Sequence, residues 1–174
     1  MSQAGNKVAW CLNKAKKEIK EGIKHRGLAK IEPDVDEAKK HIKKAEHNFK
    51  VVITLENSGF SDWSVSAVFY TIYHCFLGII TKFGYETRNQ ECTVALIEYL
   101  KEQKEIKLND EIIEALKTVD NEEKHQDNVI ELRENFQYGT ETKIEDKRLS
   151  ELKQLCQKAI EETKKIIYNG NYRS

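Results

Sequence analysis

Arg133 and His74 are the two residues of this 174-residue chain whose type and setting best suit chemistry. Arg133 lies in V-I-E-L-R-E-N-F-Q-Y-G, on a helical face it shares with Val129, Leu132 and Phe136. A guanidinium on an apolar face needs a carboxylate or a phosphate, because a buried unpaired charge is very costly. Asp62 is the candidate carboxylate. A structural ion pair and an anion-binding arginine are both open here, since both use the same forked donors. His74 is the histidine of the most apolar stretch, and Ser66, Tyr70 and His74 recur at four-residue steps along it. Two readings fit that polar stripe. His74 is either a core imidazole satisfied by a hydroxyl or carbonyl, or a cleft-lining acid, base or ligand contact.

Other chemistries find no residues to carry them. His41 and His47 are six apart, on different faces of a helix, and no H-E-x-x-H is present, so no metal is expected. A glycine-rich phosphate loop and a G-x-S-x-G elbow are both missing, and no cofactor is expected. Basic and acidic residues number 29 each, which excludes a global pull toward nucleic acid or membrane. Residues 1–57 hold 13 basic and 8 acidic side chains, and residues 101–174 hold 14 and 17. The four cysteines are far apart without a C-x-x-C pair, so they read as reduced, mostly buried thiols of a cytoplasmic protein. Met1 to Arg26 contains no apolar core of a signal peptide.

The element that must position these residues runs from Asp62 to Gly84. Nineteen residues between Asp62 and Lys82 carry no charge, in a chain that is 33% charged. Ser61 or Asp62 can cap the start of this helix, and Gly84 suits the left-handed residue past its end. The length also suits a membrane span. Ser64, Ser66, Tyr70, Thr71, Tyr73, His74 and Thr81, spread around the helix, argue instead for a core helix wrapped by others. Val68, Ile72, Cys75, Phe76 and Ile79 are then expected to be almost fully buried.

The remaining segments supply that wrapping. Val8, Leu12, Ala15, Ile19 and Ile23 define an amphipathic helix over Asn6 to Arg26, closed by Gly27, with Lys14, Lys17, Lys20 and Lys24 outside. That basic face is compatible with plain solvation, RNA, a membrane surface or an acidic partner. Residues 27–33 are a linker. A second helix starts at Asp34 or Asp36, is striped by Ala38, Ile42, Ala45, Phe49, Val52 and Leu55, and ends at Asn57-Ser58-Gly59. Tyr85 to Arg88 reads as a loop and Glu91 to Leu100 as a short helix. Glu102 to Asn109 reads as a charged turn, Glu111 to Val119 as another short helix, and Asn121 to Asp127 as an exposed polar stretch. The helix bearing Arg133 ends at Gly139, and a last one spans Asp146 to Tyr168. The spacing predicts an all-α antiparallel bundle of five to seven helices without a convincing strand. Residues 1–33 form an extra basic helix and linker, and residues 34–174 form the bundle.

Three motifs give this architecture a family resemblance. D-W-x-V-S-A-x-F-Y-x-x-Y-H-C at 62–75 resembles the HEPN-domain helix D-x-A-x-x-x-x-Y-Y-A-x-x-H-A. G-Y-E-T-R-N-Q-E at 84–91 is similar to that family's G-Y-E-S-K-N-H-E turn, and L-R-E-N-F-Q-Y-G at 132–139 to its late L-R-x-x-x-D-Y-G. The resemblance implies an up-and-down bundle of four or five helices that often dimerises and associates with RNA or nucleotides. It also implies a minimal nucleotidyltransferase as partner, in a two-component system of the toxin–antitoxin kind.

Family members that cut RNA without metal carry arginine, four residues, then histidine. Here Arg133 is followed at that place by Tyr138, and Gln90 stands where close relatives often have histidine. Tyrosine is a poor general base unless strongly perturbed. The expectation is a module that binds without cutting. Arg133 would hold a phosphate or carboxylate, Tyr138 would stack or hydrogen-bond, and His74, Tyr70 and Asp62 would line the same cleft. Two alternatives stand beside it. One is a metal-independent endoribonuclease in which Arg133 and His74 are catalytic, and the other is a scaffold that only dimerises.

Overall fold

A computed structural model describes residues 2–117 and 128–169. The described elements are α1 (Gln3–Lys20), β1 (Leu28–Lys30), α2 (Val35–Asn57), α3 (Ser61–Lys82), β2 (Tyr85–Thr87), α4 (Gln90–Glu102), α5 (Asp110–Glu114), α6 (Val129–Tyr138) and α7 (Asp146–Tyr168). They form an all-α bundle centred on α3, which packs on α2 along its length and on α7, α6 and α4 around its girth. Val68, Ile72, Cys75, Phe76 and Ile79 are all fully buried, as the uncharged run predicts. Each large apolar side chain so enclosed contributes roughly 1.5–3 kcal/mol. α3 is long and apolar enough to cross a membrane, yet two thirds of its most apolar window is buried among the other helices. Its polar residues are satisfied inside the bundle. Ser64 Oγ donates to the Val52 carbonyl at 3.2 Å, and Thr71 Oγ1 to the Ala67 carbonyl at 2.8 Å.

Local signals set most boundaries. Asp34 accepts a hydrogen bond from the Glu37 amide at 2.8 Å and caps α2. Gly84 adopts φ +78° just past α3, where a side chain would also meet the Ile31 carbonyl. α3 itself is not capped by Ser61 or Asp62. Its N-cap is Phe60, and the Ser61 hydroxyl instead accepts the Ile144 amide at 3.2 Å, tying the loop before α7 to the helix start.

Four expectations are corrected. α1 stops at Lys20 rather than Arg26, because Gly22 takes φ +71° and turns the chain six residues early. Ile19 and Ile23, assigned to the inward stripe, are therefore exposed. The segments read as a linker and a loop pair as a small antiparallel ribbon, Leu28 opposite Thr87 and Lys30 opposite Tyr85. Three-residue strands are too short to show a period in the sequence. Gly27 does not end a helix. It lets the ribbon press onto α1, where a Cβ would lie 2.4 Å from the Cys11 carbonyl oxygen.

The fourth correction concerns the cysteines. Cys11 of α1 and Cys92 of α4 form a disulfide with Cα atoms 5.9 Å apart, while Cys75 and Cys156 are buried free thiols. The helix expected over Glu111 to Val119 is described only as the single turn of α5. Residues 118–119 and the polar stretch 121–127 lie outside the described residues.

Candidate functional site

Arg133 projects from α6 onto the aromatic flank of α3. Its guanidinium carbon lies 4.2 Å from the centroid of the Phe69 ring, within cation–π range. Phe69 stacks on Tyr73 at 5.7 Å and meets Tyr70 edge-on at 5.1 Å. Tyr73 continues the row toward α4, its hydroxyl 3.5 Å from Thr93 Oγ1. The two inner rings of this row come from positions four apart, which face the same way on a helix. The arginine's Nε is buried and has no hydrogen-bond partner. Tyr138, the last residue of α6, is 80% exposed.

The expected pairing of Arg133 with Asp62 is not formed. Phe69, over which Arg133 sits, lies seven residues beyond Asp62, about 10 Å further along the helix axis. Asp62 remains half-buried in the first turn of α3, where a carboxylate is favoured by the helix dipole. Asp62→Asn is therefore expected to cost below about 1 kcal/mol. Breaking a buried ion pair would cost about 3–5 kcal/mol. A urea melt of the variant separates the two values.

His74 does not join this group either. It is five residues on from Phe69, about 140° around the helix, and it faces α2. There its Nδ1 lies 3.0 Å from Nδ1 of His41, with ring centroids 5.3 Å apart. One nitrogen donates and the other accepts, so the pair holds a single proton in the contact. Burial, then the neighbouring His41 and Lys44, pull the His74 pKa down to about 4. Burial also lowers that of His41, partly offset by Glu37. Both imidazoles bind protons more weakly folded than unfolded. Their stabilising contribution is full above pH 6.5 and is lost as the pH falls toward 4. The melting temperature is expected to fall across that window, and His74→Gln to flatten the fall.

The sequence reading missed Phe69, Tyr73 and His41. The four-residue spacing of Phe69 and Tyr73 was a visible signal for a shared face. Gln90, which opens α4, donates from Nε2 to the Leu116 carbonyl at 3.3 Å and serves packing. Among the described residues no group of three or more His, Cys, Asp or Glu could hold a metal ion.

The helical order and the packing of the other helices around α3 make this an all-α bundle. The sequence profile of the HEPN domain matches residues 38–168, three quarters of the chain, and the chain belongs to that family. No curated protein matches it. α1 and β1 lie ahead of the matched region.

Proposed function

We propose that this HEPN-family chain is a binding module for RNA or a nucleotide that does not cut its ligand. The observation that carries the reading is Arg133, held over Phe69 with a buried Nε that lacks an acceptor. The side chain is half-buried, and its terminal Nη groups, beyond the enclosed Nε, are the part that a phosphate oxygen can meet. Tyr138 offers an exposed ring to stack on a base, and Tyr70, half-exposed beside Phe69, offers another. The position of His74 counts against the endoribonuclease alternative, because its imidazole is engaged with His41 on the opposite flank of α3.

The partner in this reading is a minimal nucleotidyltransferase or a second copy of the chain. Support comes from Phe60, Trp63 and Tyr70, which are 55%, 57% and 49% exposed around the start and outer side of α3. Aromatic side chains in this number on a surface suit a protein interface. Titration of labelled single-stranded RNA, with ATP as competitor, tests the site. Arg133→Ala is expected to weaken binding at least about tenfold, the scale of one charge-assisted contact. Unchanged affinity in that variant would remove Arg133 from the site.

A further inference from the structure

We propose that the outward face of α1 is a second contact for single-stranded RNA, with Trp10 as its stacking platform. The inference rests on the RNA reading but uses residues ahead of the family match. Trp10 is 52% exposed and is clasped by two ammonium groups, Lys7 Nζ at 4.9 Å and Lys14 Nζ at 5.1 Å from its ring centroid. Lys17, seven residues on from Trp10, continues the same stripe. Lys7 also pairs with Glu91 at 2.8 Å, and Lys17 lies 4.0 Å from Glu21, whereas Lys14 makes no ion pair among the described residues.

Charge is segregated onto α1 and the turn that follows it. Residues 1–26 hold 7 basic and 2 acidic side chains, which leaves 22 basic and 27 acidic in residues 27–174. A polyanion is therefore drawn to α1 and repelled by much of the remaining surface. A base that stacks on the indole displaces a lysine from the ring, and the freed ammonium meets the neighbouring phosphate.

A lipid surface fits less well. A membrane-lying helix needs a free apolar face. That of α1 is spent inside the protein, with Ala4, Val8, Cys11 and Ala15 buried and Cys11 bonded to α4. Its two exposed apolar side chains, Trp10 and Ile19, lie nine residues apart on opposite sides of the helix and cannot insert together.

The chain has two tryptophans, so Trp63→Phe leaves Trp10 as the sole reporter. Adding a twelve-residue oligouridine is expected to quench its emission saturably. Trp10→Ala should weaken binding about tenfold, within the range for one stacked base, and Trp10→Tyr should restore much of it. Lys14→Gln with Lys17→Gln should reduce the slope of log K against log salt by about 1.4. If RNA binds by anisotropy and Arg133→Ala abolishes it while Trp10 emission stays constant, the α1 contact is overturned and the Arg133 reading stands. If quenching persists in Arg133→Ala with unchanged affinity, α1 stands and the Arg133 reading falls. A blue shift of Trp10 on phosphatidylserine vesicles with no response to RNA would reassign the face to membranes and overturn the proposal. Absence of RNA binding by both readouts would overturn both readings.

Discussion

Purified protein incubated with RNA in EDTA is expected to leave the RNA intact. Metal-independent cleavage needs a group that moves a proton near pH 7, and a positioned acid or base of that kind supplies a factor of about 10²–10⁴. Tyr138 stands five residues beyond Arg133, where the resemblance places that histidine, and a phenol is a poor general base for this step. The imidazole on α3 is turned away, its Nδ1 held by His41. Arg133 retains its own capability, because a guanidinium stabilises phosphate charge whether or not a bond breaks. In the reading proposed above, recognition is the chemistry left to the site. Robust cleavage in EDTA that vanishes in Arg133→Ala would refute this reading and would make His74 the first suspect for proton transfer.

Loss of the Cys11–Cys92 bond is expected to destabilise the protein by about 4 kcal/mol, from the loop-closure entropy of an 81-residue separation. At this chain length that is a fall in melting temperature of about 10 °C. The bond joins α1 to α4 across the segment that holds α2, α3 and the ribbon, so its removal loosens the N-terminal helix first. Cys11→Ala with Cys92→Ala should reproduce the effect of reductant, and reductant should then add nothing. Thiol titration of the unfolded, unreduced protein should find two reactive groups, Cys75 and Cys156. Four titrating thiols with an unchanged melt would contradict the assignment.

Much of the fold was legible because its strongest signals are local. The uncharged run from Trp63 to Thr81 identified the central helix, and the residues picked from it are fully buried. α7 spans the predicted Asp146 to Tyr168. Arg133 was singled out correctly as an arginine set among apolar neighbours, since Phe69 now covers it.

What failed to show depends on how elements sit against one another. Asp62 and Phe69 share a flank of α3, and only the axial offset of α6 decides which of them Arg133 meets. His74 lies on the polar stripe through Ser66 and Tyr70, but that stripe drifts around the helix until its last member faces α2. Gly22 and Gly27 are equal stop signals in sequence. Only the close approach of the ribbon to the Cys11 carbonyl gives Gly27 its different role. The disulfide joins residues 81 positions apart and leaves no spacing pattern to read.

The claim that Arg133 serves a ligand rather than the fold is tested most directly by measuring one variant twice. Arg133→Ala removes a cation–π contact of about 0.5–1 kcal/mol, so its melting temperature should fall by only about 2–4 °C. Its affinity for single-stranded RNA should fall at least about tenfold in the same preparation. A drop of about 10 °C with RNA affinity unchanged would contradict the account and make Arg133 a structural residue.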